Sequence, residues 1–158
     1  MAKEHKFKAS LVWTGAAAGP TETYQSYSRE WTFSQEGKDD LVGTAAVPFR
    51  GVPELRNPED LLLASVSACH CLSYLAEAAL AGITVVDYND ECEALMTVKD
   101  GKMRITEIIL RPLVTISKGT IEAADALHDK AHDVCFIANS VNFEILVEPE
   151  TELAVTSE

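Results

Sequence analysis

Asn57-Pro58-Glu59-Asp60-Leu61-Leu62-Leu63-Ala64-Ser65-Val66-Ser67-Ala68-Cys69-His70-Cys71-Leu72-Ser73-Tyr74-Leu75-Ala76-Glu77-Ala78-Ala79-Leu80-Ala81-Gly82 is the stretch on which the fold turns. Asn57 suits a helix N-cap, and Pro58 at the first helical position has no donor to lose. Glu59 and Asp60 complement the positive end of the helix dipole. Gly82 supplies a left-handed stop. These signals predict a central helix over 57–82, with about 24 helical residues and a length of roughly 36 Å. Between Leu61 and Leu80 the only formally charged side chain is Glu77. A helix apolar nearly all round must be covered on several sides. Ser65, Ser67, His70, Ser73 and Glu77 argue that the cover is protein rather than lipid.

Upstream, Phe7, Ala9, Leu11 and Trp13 alternate with Lys6, Lys8, Ser10 and Val12, which reads as a strand. Gly15–Pro20 breaks it. Tyr27, Arg29, Trp31 and Phe33 give a second strand, Gly37–Asp40 a turn, and Leu41–Val47 a third. Downstream, Thr84–Val98 and Met103–Ile116 flank Lys99-Asp100-Gly101-Lys102, a hairpin signal. Pro112 suggests an edge or a bulge. Thr120 caps a helix of about 15 residues on the pattern of helix start signals. Val141, Phe143, Ile145 and Val147 form a last strand, and the acidic tail that follows is expected to fray. The order β-β-β-α-β-β-α-β is an α+β class.

At 158 residues and 47% hydrophobic composition, the length suggests a single domain over 1–158. It divides into an N-terminal β meander (1–56), the central helix (57–82), the hairpin with second helix and last strand (83–148), and the tail (149–158). One such chain has too little sheet to wrap the central helix. A homodimer is expected, with central helices packed between sheets of both chains.

Thirteen Lys and Arg against 25 Asp and Glu leave a net charge of −12. That surface repels phosphate backbones and anionic lipid, so no nucleic acid and no membrane partner is expected. Met1–Phe7 has no long apolar run and does not read as a signal peptide. Four cysteines (69, 71, 92, 135) without a secretory signal suggest reduced thiols and a cytoplasmic setting.

Cys69 shares a helix stripe with Leu62, Ser65, Leu72 and Ala76, and Cys135 closes the second helix. Each reads either as a small buried hydrophobe or as one member of an attacking and resolving thiol pair, which would need their Cα atoms within about 7 Å. Cys71 lies about 200° round the helix from Cys69 and is read as core, as is Cys92. His128, His132 and Cys135 fall on one stripe like half a zinc site, but no companion ligand segment exists, so no metal is expected. Arg29, Arg50, Arg56 and Glu59 are simplest as surface or helix-end charges.

The segment Asn57-Pro-Glu-Asp-Leu-Leu-Leu-Ala-Ser-Val-Ser-Ala-Cys69, with Ala131-His-Asp-Val-Cys135-Phe-Ile-Ala-Asn-Ser140, resembles the family of osmotically inducible protein C and organic hydroperoxide resistance proteins (OsmC/Ohr) over nearly the whole chain. In that family a reactive cysteine follows the Asn/Ser-Pro-Glu glutamate by ten residues, as Cys69 follows Glu59. The resemblance implies an OsmC-like fold in an intertwined dimer. It also implies a cysteine-based peroxidase that reduces organic hydroperoxides. Cys69 would be the peroxidatic thiolate, Cys135 the resolving thiol, and Glu59 the carboxylate that orients an activating arginine. Arg50 matches the OsmC-like placement of that arginine, with Arg29 and Arg56 as alternatives. The family's activity needs no cofactor beyond an external dithiol or lipoyl-type reductant. Many members have proline after the second cysteine where this chain has Phe136, and Cys69-His70-Cys71 is not family-wide.

Ten helical residues place Glu59 and Cys69 about 15 Å apart along the axis. Either the helix is broken between them, or Glu59 and its arginine serve Cys69 of the other protomer; the dimer argument favours the second. Two rival functions share the fold: a non-enzymatic protein that binds a small apolar ligand, and a redox switch.

Overall fold

The computed structural model of the protein describes residues 3–155. The chain forms two compact units, one up to Leu61 and one from Leu62. Helix α1, Pro58–Leu80, is a single unbroken element. At its start Asp60 N–H donates to Asn57 Oδ1 (2.9 Å) and Asn57 N–H donates to Asp60 Oδ2 (3.1 Å). This reciprocal box satisfies amides that have no intrahelical partner. At its end Gly82 has φ +73°, Gly82 N–H donates to Ala79 O and Ile83 N–H to Ala78 O. That is the Schellman arrangement, and the positive φ is why the stop is glycine.

In the first unit, β1 (Ser10–Val12), β2 (Trp31–Ser34) and β3 (Leu41–Gly43) form an antiparallel sheet in chain order, with Leu11 opposite Phe33 and Phe33 opposite Leu41. These strands are shorter than the alternation predicts. Upstream of β2 the ladder groups are used elsewhere. Trp13 Nε1 donates to Ser28 O (2.8 Å), Gly15 N–H donates to Glu30 O (2.9 Å), and the Arg29 guanidinium holds Tyr24 O and Tyr27 O. Gly43 lies flat against the Trp31 ring, where a Cβ would come within 2.1 Å of a ring carbon. Leu11, Trp31, Phe33, Leu41, Pro58 and Leu61 line an apolar hollow of about 430 Å³.

The second unit holds two three-stranded sheets built from three bent strands. The first long arm divides into β4 (Thr84–Asp90) and β5 (Glu93–Lys99), the second into β6 (Lys102–Leu110) and β7 (Pro112–Lys118). After the helices come β8 (Glu144–Val147) and β9 (Glu150–Leu153). One sheet has the order β4-β7-β9 and the other β5-β6-β8. β8 runs parallel to β6, and β9 runs parallel to β7. The hairpin expected at Asp100-Gly101 is present, with both residues at positive φ.

The breaks fall at Glu91-Cys92, Arg111 and Glu148-Pro149, and the same residues join them. Arg111 N–H donates to Asp90 Oδ1 (2.8 Å), and the Arg111 guanidinium pairs with Glu93 (2.6 Å) and Glu148 (3.0 Å). Asp90 Oδ2 accepts from Ser67 Oγ of α1. Pro112 therefore opens β7 at the bend, in the central strand of its sheet rather than on an edge; the first strand position tolerates its missing N–H. Over Glu150–Leu153 the acidic tail corrects the expectation of fraying, while its last residues, 156–158, lie outside the described residues. Glu150–Leu153 adds to β7, and Thr151, nearly buried, donates to Asp125 Oδ1.

The second helical stretch is two pieces, α2 (Ile121–Asp125) and α3 (Leu127–Val134), meeting at Ala126; Thr120 caps the first by accepting from Ala123 N–H. α1 packs Val66 with Ile105, Ile108 and Leu110, and packs Tyr74 and Ala78 with Ile83, Val114, Ile116, Ala124 and Ala131. Its buried stripe is Val66, His70, Tyr74 and Ala78, together with Glu77. The stripe Ala64, Ala68, Leu72, Ala76 and Leu80 is exposed, with Leu72 at 68% and Leu80 at 80%. By length and composition α1 could cross a bilayer, but its buried stripe is protein-packed and holds a histidine and a glutamate.

Asp90 carries the bend. Asp90→Ala should lower unfolding free energy by about 1–3 kcal/mol, because it orphans the Arg111 amide and the Ser67 hydroxyl. Arg111→Ala, which removes only half-exposed ion pairs, should cost less. Urea midpoints of the two variants check the order; a larger loss in Arg111→Ala would refute it.

Candidate functional site

Cys69 lies in the middle of α1, and Cys135 is the residue at which α3 stops. The fold brings these two thiols together. Cys135 is buried, at 1% exposure, while Cys69 is half-exposed. Burial raises the Cys135 thiol above its ordinary value, and the hydrogen bond and charge of the adjoining Cys69 push it the same way. Amides of the turn after Cys135 oppose that rise. Ala138 N–H points at Cys135 Sγ, and Ile137 N–H points at Cys69 Sγ, each at 3.5 Å. A backbone N–H directed at sulfur favours the thiolate.

Cys69 opens onto a groove of about 520 Å³ walled mainly by Ser65, Ala68, Leu72, Ser73, Ala76, Val134 and Phe136, with Glu77 also lining it. Glu77 is ion-paired with Lys130. Phe136 stands 82% exposed on the rim. The arrangement presents one half-exposed sulfur to an apolar groove and keeps a second, buried sulfur beside it.

The other two cysteines are placed differently. Cys71 and Cys92 both have thiols raised by burial first and then by the nearby Asp90 carboxylate. They stay protonated near neutral pH, as thiols in a packed core do. Cys92 packs against the Val66 cluster, in the break between β4 and β5 rather than on a strand face.

The charged residues singled out in the sequence lie in the first unit. Glu59 is half-buried and its Oε2 is buried without a hydrogen-bond partner among the described residues. No ion pair joins it to Arg29, Arg50 or Arg56 among the described residues. Arg50 adopts φ +71° and reaches Gln25 O at 3.4 Å. Arg29 lies over the Tyr24 and Tyr27 rings, its Cζ 3.8 Å from the Tyr27 centroid. Arg56 is exposed, and its carbonyl accepts from Thr44 N–H. Because α1 is unbroken from Glu59 through Cys69, a break in the helix is not what would bring those two residues together.

A buried histidine pair joins α1 to α3, and the sequence did not reveal it. His70 Nε2 and His128 Nδ1 are 3.0 Å apart, and the His128 ring stacks on Tyr74 with centroids 4.1 Å apart. The stripe of His128, His132 and Cys135 was visible, but the partner of His128 is on α1. Both histidines are lowered to about 4, chiefly by burial; His132 lowers His70 further while Asp90 opposes, and His70 lowers His128. One neutral ring donates and the other accepts, which protonation of both would forbid. No cluster of three or more metal-ligating side chains exists among the described residues.

Fold and site together define an α+β protein with two cysteines facing each other across a long central helix and the end of a second one. Residues 53–150 match the family model described as OsmC-like protein. The chain belongs to the OsmC-like protein family. It is 26% identical over 122 residues to the uncharacterized protein YmaD of Bacillus subtilis, which covers 72% of this chain and 81% of that protein. It is also similar to the structure of an OsmC-like protein of unknown function from Vibrio cholerae, at 29% identity and a TM-score of 0.81, covering 92% of this chain and 99% of that one. The fold recurs in an organic hydroperoxide resistance protein from Elizabethkingia anophelis, at 19% identity and a TM-score of 0.66, covering 96% of this chain and all of that one.

The histidine pair makes stability depend on pH. Unfolded histidines take up protons as pH falls through about 6.5, while the folded pair resists until about 4. The unfolded state thus binds more protons in that window, and stability falls as pH drops from about 6.5 towards 4. The urea midpoint should decline between pH 7 and pH 5, and less steeply in His128→Leu. An unchanged midpoint across that range in the wild type would show that the pair is not held neutral.

Proposed function

We propose that this protein is a thiol-dependent peroxidase that reduces organic hydroperoxides to alcohols, acting as a homodimer in the cytoplasm. The observation that carries the reading is the meeting of Cys69 and Cys135 at the wall of an apolar groove. Cys69 is the peroxidatic residue. Its thiolate attacks the distal peroxide oxygen, the O–O bond breaks, the alkoxide leaves and takes a proton as alcohol, and Cys69 becomes a sulfenic acid. The Cys135 thiol then attacks that sulfur; an S–S bond forms and water departs with the sulfenic oxygen. An external dithiol or lipoyl-type reductant reopens the disulfide by thiol exchange. No metal or organic cofactor enters these steps.

The raised Cys135 thiol suits a resolving role, because it stays protonated until its neighbour reacts. The apolar walls favour hydroperoxides with bulky organic groups over hydrogen peroxide. Glu59 orients an activating arginine, for which Arg50 is preferred to Arg29 and Arg56. Its buried oxygen without a partner supports a role in holding a cation. A second copy covers the exposed α1 stripe beside the groove and brings its own Glu59 and arginine to Cys69. The contiguous exposed Ala68, Leu72, Ala76 and Leu80 support that cover.

Dithiol-dependent consumption of cumene hydroperoxide tests the reading. Wild type should turn over, Cys69→Ser should fall to background, and Cys135→Ser should react once and then stall. Full activity in Cys69→Ser would end it, and a wild type that consumes no hydroperoxide but retains an apolar ligand through purification would favour the binding protein. Light scattering at micromolar concentration should give the mass of a dimer; a monomer there would refute the shared site.

A further inference from the structure

The reaction proposed above needs Cys135 to reach the Cys69 sulfur after oxidation, and the structure points to the side chain that holds it there. Cys135 lies outside regular helix, at φ −67° and ψ 116°, so helical hydrogen bonding does not fix its position. The turn that follows is fixed instead by two residues further on. Asn139 Nδ2 donates to Cys135 O and to Asp133 O, both at 2.9 Å. The Asn139 N–H also donates to Cys135 O, at 3.1 Å. Ser140 Oγ donates to Phe136 O at 2.7 Å. These bonds tie the last turn of α3 to the backbone on both sides of Phe136. The same backbone aims Ile137 N–H at Cys69 and Ala138 N–H at Cys135.

We infer that Asn139 is a positioning residue for disulfide closure: its carboxamide holds the Cys135 carbonyl, and through it the Cys135 sulfur and the two sulfur-directed amides, against Cys69. Ser140 supports the same turn from the next carbonyl. The inference rests on the peroxidase reading for its biological use, but the geometry concerns closure alone. In closure the Cys135 thiol loses its proton, its sulfur bonds to the Cys69 sulfenic sulfur, and the hydroxyl leaves as water. A turn released from its clamp must search for that approach, and the cost falls on this step. Attack of Cys69 on peroxide does not require Cys135; of this turn it meets only the Ile137 amide, so releasing the clamp slows attack less than closure. Asn139 and Ser140 are exposed, so their replacement opens no cavity.

Two closures are compared in wild type, Asn139→Ala, Ser140→Ala and a control, Asn142→Ala. In the first, one equivalent of cumene hydroperoxide oxidises the reduced protein, and dimedone traps sulfenic acid while mass spectrometry follows the disulfide. In the second, diamide drives the same disulfide with no peroxide present. Asn139→Ala should close about ten-fold more slowly in both, the effect of losing one or two neutral hydrogen bonds, and dimedone adduct on Cys69 should accumulate. Its initial rate with peroxide should stay within about two-fold of wild type, on the scale of an unperturbed surface change. Ser140→Ala should show the same effect more weakly, and Asn142→Ala none. Wild-type closure in Asn139→Ala, or an equal fall in closure and initial oxidation, would overturn the assignment. A wild type that closes with diamide yet leaves cumene hydroperoxide untouched would refute the peroxidase reading while still deciding the role of Asn139.

Discussion

An unbroken helix of 23 residues that is apolar on most sides cannot be satisfied by one layer of sheet, and much of this molecule answers that constraint. Two sheets and two short helices cover the Val66–Ala78 stripe. They do so by bending three strands at one level, so that the halves of each strand serve different lengths of α1. Asp90 ties that bend to the helix, with one carboxylate oxygen on the Arg111 amide and the other on Ser67. The helix and the bend are therefore one construction, and the placement of Cys69 along α1 inherits its rigidity. What the sheets leave uncovered, the stripe through Ala68, Leu72 and Ala76, borders the groove that Cys69 faces.

The two thiols show how chemistry can be separated by environment within one fold. Of the four cysteines, Cys69 and Cys135 are the two that meet each other, at a turn whose amides point at both sulfurs. Cys71, two residues from Cys69, points into the sheet side, where Asp90 and burial hold it protonated. A helix turns its neighbours away from one another by about 100° per residue, so adjacent positions can be inert and exposed to the groove in turn. The histidine between them, His70, takes a third direction and is spent on His128.

Sequence reading located α1 to within two residues because capping is local chemistry: Asn57, Pro58, Asp60 and Gly82 each act on the backbone beside them. It also found the Asp100-Gly101 hairpin for the same reason. It missed the bends, which depend on Asp90 reaching Arg111 and Ser67 from far along the chain. It read the tail by its charge, whereas β9 is set by parallel pairing to a strand more than thirty residues earlier and by one buried hydroxyl, Thr151. The short N-terminal strands were over-extended because Trp13 and Arg29 side chains claim carbonyls that alternation alone assigns to a ladder. Cys69 and Cys135 were singled out by their place in a family pattern, since neither spacing nor polarity distinguishes them from core. The His70–His128 contact carried no local signal, because its partners are brought together only by the folded chain; Asn139 acts on carbonyls close by in sequence, but they are free to accept only because α3 ends just before Cys135.

The two facing thiols belong to elements sixty-six positions apart in the chain. A bond between them would close a loop of that length and remove its freedom from the unfolded ensemble, which the chain-entropy picture values at roughly 4 kcal/mol. Redox state would then set how firmly the second unit is stapled, and each reducing event would return the molecule to its looser, more searchable form.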